Sequence, residues 1–437
     1  AFEYASMSLL DRQAQSLFGH AEESPGAFSA YRWSSLDHAS LPDPLPRPLD
    51  RYFEPLTRAW QMSALEGNVR AAADRALGYA LVLGAGERLA RVGGAAARTL
   101  VPDRMGPYLH QRQRWLNGSQ FAVLYPFYSG IFCGCGNPLR MLSFLVELLY
   151  MLLDSAVSWF RLGNTFLCSF IFVRSVFGVG PLAIAVQGPL GELIERHRQV
   201  PIFYRDVYLG LFAGTLVLAM GSRPNTKHAG VKLLYKVSAV LWGLVVAMVL
   251  GLAALVMVGG SAGAASGLGR AVGESAVLCL LSLVAGGLLG GNIVRSLLCW
   301  VPYMVVQPTM VNLVQMFAFC NLHDLSWGTK GLDKRGDDDT RNGFRCVMVL
   351  LWLSTNSLLM AVVCSNDLAK PGTPQYEWHE KAELYYLLAL ARITGILSVL
   401  RLACVGLFYI GAGALASNKG RRRRPASPQQ LPLVDHA

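Results

Sequence analysis

From Met141 onward the chain carries repeated apolar runs of a length that suits a lipid bilayer, and this pattern limits the possible folds more than any other feature. The runs fall near 141–178, 207–221, 237–258, 275–294, 296–319, 346–363 and 393–415. They predict a transmembrane domain of six to seven helices over 141–415, with a polar loop at 321–345. With 53% hydrophobic and only 15% charged residues, the chain is too apolar for an ordinary soluble enzyme, whose charged fraction is about 25%.

Basic residues exceed acidic ones, 39 Lys+Arg against 28 Asp+Glu, for a formal charge of +11. Many sit between the apolar runs, which favours phosphate and anionic lipid as partners. Zinc-finger spacing, an aromatic recognition motif and a basic helix outside the membrane region are all missing from the sequence, so nucleic acid is not expected. Of the nine cysteines, six lie in or at the ends of apolar runs and read as small buried hydrophobes. Cys133 and Cys135 have no second pair at metal-site spacing, so no metal site is expected in the chain.

Lys227 and Lys232 flank one short loop, and the tail carries Lys419 and Arg421 to Arg424, which places both in the cytoplasm by the positive-inside rule. An even number of crossings then puts the N-terminal part there too, with six favoured if part of Leu297 to Phe319 is re-entrant. Glu147 and Asp154, seven residues apart, share a helix face and read equally as a channel lining or as an interfacial helix. The tail over 416–437 is basic and is expected to be disordered. The first 140 residues are mixed in polarity, and the start at Ala1-Phe2-Glu3 reads as a piece of something longer.

The stretch Gln111 to Ser119, QRQRWLNGS, sets amide donors, guanidinium forks and an indole side by side just before the first apolar run. Arg forks suit a diphosphate and an indole suits the apolar face of a sugar ring. An Arg/Trp cluster beside a membrane also serves as an interfacial anchor, and composition does not choose between the two.

As a string, QRQRWLNGS resembles the acceptor-site motif of chitin synthases, a family of processive glycosyltransferases. The resemblance extends through PGAFSAYR (25–32), VPD (101–103), GSRP (221–224) and AFCNLHDLSWGTKG (318–331), covering roughly Phe2 to Gly331. It implies an α-helical multi-pass membrane protein preceded, over 1–140, by the C-terminal part of an α/β (GT-A-like) glycosyltransferase domain. The activity implied is that of a hexosyltransferase moving N-acetylglucosamine from UDP-N-acetylglucosamine to a growing β-1,4 chain with inversion at the plasma membrane. By the same resemblance, Gln111, Arg112, Arg114 and Trp115 bind acceptor and diphosphate, with Ser29, Tyr31 and Arg32 in the sugar-binding wall. Ser326, Trp327, Gly328, Thr329 and Lys330 support the site or the channel mouth, although a polar loop capping a span is the plainer reading of those residues.

The family's general base is the Asp of an acidic-acidic-Arg motif, and NVRAAADR (68–75) supplies Asp74 and Arg75 but has Ala73 at the first acidic position. The D-x-D sequence that holds Mg2+ or Mn2+ on the donor is expected upstream of residue 1, and Asp337 to Asp339 reads as a solvated acidic loop instead. The implied partners are UDP-N-acetylglucosamine, the growing chitin chain and membrane lipid, with a homodimer left open. The rival expectation is a catalytically degenerate synthase half acting as a membrane scaffold or channel. A solute transporter would need an internal repeat of broken helices, which the sequence does not show.

Overall fold

The structure is a computed structural model that describes residues 15–16, 29–37, 50, 63–70, 72–90, 102, 104–128, 138–178, 189–223, 228–259, 310–325, 338–364 and 374–420, with scattered helical positions from 274 to 298. In chain order the helices are α1 (Trp33–Asp37), α2 (Ala64–Arg70), α3 (Ala73–Tyr79), α4 (Met105–Ala122), α5 (Tyr125–Tyr128), α6 (Pro138–Trp159), α7 (Arg161–Val176), α8 (Pro189–Arg196), α9 (Val200–Gly221), α10 (Ala229–Gly259), α11 (Gln315–Cys320), α12 (Asp338–Cys364) and α13 (Pro374–Gly420). A π-helical turn extends α3 over Ala80–Gly84, and another, Met310–Val314, leads into α11. Among the described residues none is in a strand, so the expected end of an α/β domain is represented here by helices alone.

Among the described residues four segments are long and apolar enough to cross a membrane: Val200–Gly221, Ala229–Leu255, Asp339–Cys364 and Lys381–Phe408. A fifth arises if the pair Met151–Trp159 and Arg161–Val176, bent by 62°, is one broken span. The chain is a membrane protein. The helices run past several of the apolar runs: α12 begins at Asp338, inside the expected polar loop, and Lys232 lies in the first turn of α10 rather than in a loop. The expected tail is helical as far as Gly420.

The bend between α6 and α7 has an identifiable cause. Breaking the helix at Phe160 leaves backbone groups without intrahelical partners, and α12 supplies them. Trp352 Nε1 donates to the Trp159 carbonyl (2.9 Å), Asn356 Nδ2 donates to the same oxygen (3.1 Å), and the Gly163 amide donates to Asn356 Oδ1 (2.9 Å). Gly163 permits that approach, since a Cβ there would stand 3.0 Å from Asn356 Oδ1.

The antiparallel pair α9 and α10 interlocks through side chains. Trp242 Nε1 donates to Thr215 Oγ1 (3.1 Å), Thr215 and Ser238 hydroxyls meet at 2.9 Å, and Tyr235 Oη donates to the Ser222 carbonyl (3.0 Å) where α9 ends. In a bilayer such polar contacts hold helices together, because lipid offers the groups no alternative partner.

At the centre stands α11, only six residues long and buried at every one of them. Apart from Gln315, whose amide donates to the Ser158 carbonyl (2.6 Å), its side chains are apolar all round, which is the pattern of a core helix. Phe319 stacks on Trp352 (centroids 4.7 Å) and meets Trp159 edge-on (5.4 Å), while Phe317 packs against Tyr235 (6.1 Å) and His110 (5.5 Å). Thus the end of the expected 296–319 run is a short buried helix surrounded by spanning ones.

Candidate functional site

The segment with the sequence motif is α4, and its residues divide among three faces because each step along a helix turns about 100°. Leu109, Gln113 and Asn117 form a buried stripe at i, i+4 and i+8, which packs on α11. The last carbonyls of a helix have no donor within it. Here, Gln113 Nε2 donates to the carbonyls of Asn321 (2.8 Å) and Asp324 (3.2 Å), and Asn117 Nδ2 donates to that of Ala318 (3.0 Å).

A third amide comes from α2. The helix starts on a capping box, in which the Glu66 amide donates to Ser63 Oγ (3.2 Å) and the Ser63 amide donates to Glu66 Oε2 (2.8 Å). One turn on, buried Asn68 donates to the Leu322 carbonyl (3.0 Å). Asn321 returns the link by donating to the Ala219 carbonyl in the last turn of α9 (3.2 Å). Three motif-bearing segments are thereby tied to one buried helix end.

The second face of α4 opens on a cavity of about 820 Å³, into which Pro107, His110, Gln111 and Arg114 project. Its opposite walls are the end of α9 with Arg223, the start of α10 with His228, Arg345 in α12, and the turn after α11 with His323 and Asp324. Among the described lining residues the charge is unbalanced, with three guanidinium groups and one carboxylate. Asp324 is nearly buried and lies 3.7 Å from Arg223. Burial lowers the pKa of Arg114, though a guanidinium stays charged at any physiological pH, and its buried Nε has no hydrogen-bond partner among the described residues. His110 is also held below the usual imidazole range, chiefly by burial, with Arg223 and Arg114 adding to the effect and Asp324 opposing it.

The third face carries Tyr108, Arg112 and Trp115. The Arg112 guanidinium stacks 5.0 Å from the Trp115 ring centroid and 5.6 Å from that of Tyr108. The motif is therefore split in space: Gln111 and Arg114 share the cavity, while Arg112 and Trp115 form a stack on the adjoining face.

Asp74 is half-buried in the first turn of α3, where its carboxylate accepts from the Arg75 amide (3.1 Å); it does not line the cavity. Ser29 and Tyr31 are half-buried and Arg32 is exposed just before α1, also away from the cavity. Ser326, Trp327, Gly328, Thr329 and Lys330 lie outside the described residues. Among the described residues no group of three or more His, Cys, Asp or Glu could hold a metal ion.

Sequence reasoning missed Asn68, Gln113, Asn117 and Asn321 as the amides that join the two parts. The signal that could have found two of them is the i, i+4 and i+8 spacing of Leu109, Gln113 and Asn117. Nothing local marked Arg345 as a cavity residue, because it lies more than 200 positions from Arg114.

Residues 1–129 match the chitin synthase-like glycosyltransferase domain family. Chitin synthase A of Ampelomyces quisqualis is 30% identical over 352 residues, 76% of this chain and 36% of the relative. Chitin synthase I of Metarhizium acridum is 32% identical over 354 residues, 76% of this chain and 38% of the relative. Chitin synthase 7 of Cryptococcus neoformans var. grubii is 30% identical over 356 residues, with 76% and 37% covered. The chain spans a little over a third of the length of these curated relatives.

Proposed function

From the chain's membership of the chitin synthase family, we propose that it is the acceptor-side and membrane-spanning part of a hexosyltransferase that makes chitin from UDP-N-acetylglucosamine. The observation that carries this reading is the pairing of Gln111 and Arg114 on the wall of one basic cavity, where a leaving diphosphate finds amide and guanidinium donors. The part before residue 140 is read as the end of an α/β (GT-A-like) domain at the cytoplasmic face of the plasma membrane.

In this reading the acceptor hydroxyl attacks the donor's anomeric carbon from the face opposite the leaving group. The new C–O bond forms as the bond from that carbon to the diphosphate oxygen breaks, UDP departs with the electron pair, and the hydroxyl proton passes to the Asp74 carboxylate. Trp115 presents an apolar ring to the acceptor sugar, Arg112 steadies that ring from above, and Ser29, Tyr31 and Arg32 form part of the sugar-binding wall. Arg114 stabilises charge that grows on the diphosphate. Mg2+ or Mn2+ is expected on the donor, yet the described residues do not form a cluster suited to it, and no step here runs through it. The polymer then leaves through the helix bundle, with Ser326 to Lys330 supporting the channel mouth.

A second reading, a degenerate synthase half that serves as a membrane scaffold or channel, is favoured by Ala73 standing where the family has a carboxylate. The test uses membranes carrying the product of the whole coding sequence, labelled UDP-N-acetylglucosamine and Mg2+, with Asp74→Asn and Trp115→Ala alongside. Insoluble product that chitinase digests, lost in both variants, is the expected outcome. A folded wild type that makes none sinks the enzyme and leaves the scaffold.

A further inference from the structure

We infer that Arg223 and Arg345, supplied by the ends of membrane helices, are phosphate ligands that complete with Arg114 a single anion site, so that the bundle itself grips the diphosphate. The inference rests on the reading of Arg114 as a diphosphate ligand and goes beyond it by assigning two residues outside the sugar-transfer motif.

Three observations carry it. The first is position: Arg114 on α4, Arg223 after α9 and Arg345 on α12 line the same cavity of about 820 Å³, a volume ample for a diphosphate. The second is charge. Asp324 lies 3.7 Å from Arg223, while among the described residues no carboxylate stands within ion-pair distance of Arg114 or Arg345. Like charges crowded into a partly enclosed space repel, and an anion removes that penalty. The third is the unmet Nε of Arg114, which is buried at the cavity wall and has no acceptor among the described residues.

The chemistry recognised is a phosphate ester or diphosphate, because planar guanidinium forks match paired phosphate oxygens. Two sources present that chemistry at this end of the bundle: the nucleotide diphosphate and an anionic lipid headgroup. The arrangement also has a mechanical consequence. A ligand touching all three arginines adds a tie between α4, the end of α9 and the start of α12, and that tie is lost when the ligand leaves.

The test measures inorganic pyrophosphate binding to the full chain by calorimetry in a zwitterionic detergent, for wild type, Arg223→Ala, Arg345→Ala and the Lys variant at each position. The expected result is a loss of at least about tenfold in affinity for each Ala variant, partial recovery with Lys, and melting temperatures without ligand that stay near wild type. Competition by UDP assigns the site to the nucleotide. Competition only in nanodiscs containing phosphatidylinositol phosphate, and not in phosphatidylcholine discs, assigns it to lipid; both arms keep the two arginines as phosphate ligands. Absent pyrophosphate binding, or binding unchanged in both Ala variants, overturns the inference. The failure of the synthase reading is separate: a wild type that binds pyrophosphate through these arginines but makes no polymer refutes that reading alone.

Discussion

Gln113 and its neighbour His110 illustrate how adjacent positions in one motif serve different ends. Gln113 is buried, and its amide satisfies two carbonyls at the end of α11. Gln113→Leu keeps the bulk but leaves both carbonyls without that donor, at a cost of about 1–3 kcal/mol. Thermal unfolding in detergent should show the loss, and pyrophosphate affinity should fall less than in Arg345→Ala, because Gln113 does not line the cavity but holds the carbonyls of Asn321 and Asp324, which do. His110 lines the cavity and also touches Phe317 and the Gln113 side chain. Burial holds its folded pKa below the usual imidazole value of about 6.5, so the unfolded chain takes up a proton more readily than the folded one. Its contribution to stability is therefore present above pH about 6.5 and is lost as pH falls through the folded value. Melts from pH about 8 to about 5 should show that decline, and His110→Gln should flatten it; an unchanged slope refutes the assignment.

At the scale of helices, the contacts that matter are those where polar groups are shut away. Arg174 near the end of α7 pairs with Glu383 of α13 at 2.7 Å, and both side chains are almost completely buried, at 7% and 2% exposure. A buried pair is costly to break on one side only, about 3–5 kcal/mol, since the remaining charge has no compensation. Replacing both partners by apolar residues avoids that penalty. Glu383→Leu should therefore melt far earlier than wild type, and Arg174→Met combined with Glu383→Leu should recover most of the loss. If the double variant is as unstable as the single, the pair is not what docks α13. The Tyr386 hydroxyl bond to Asn164 Oδ1 (2.7 Å) helps the same docking and is left intact in both variants.

Across the whole molecule, the N-terminal helices and the bundle share one core. Leu109 and Phe121 of α4 belong to the same apolar cluster as Phe166, Trp242, Phe317 and Trp352 from the membrane-side helices. Burial of that surface, about 25 cal/mol per Å², together with the amide bonds to the end of α11, makes the junction an internal interface rather than a linker. Cutting the chain between 129 and 138 and co-expressing the two pieces should yield a complex that copurifies in detergent. The second piece expressed alone should aggregate, since the carbonyls of Ala318, Asn321 and Leu322 would lose the donors Asn117, Gln113 and Asn68. Pieces that stay soluble and separate would show that the junction adds little.

The sequence alone determined where the apolar runs lie and which segment carries the QRQRW motif. Apolar runs report their own lipid or core environment, and a motif such as QRQRW keeps its chemistry in adjacent residues. Which residues of that motif face the cavity and which face α11 was not read from the sequence, although the i, i+4 spacing of Gln113 and Asn117 was there to be read. Tertiary structure alone decided what those faces meet. The break at Phe160 depends on Trp352 and Asn356, nearly 200 residues away, and the cavity depends on Arg223 and Arg345 arriving at the ends of other helices. Packing between distant segments fixes such meetings, and no local pattern encodes which carbonyl or guanidinium will be across the gap.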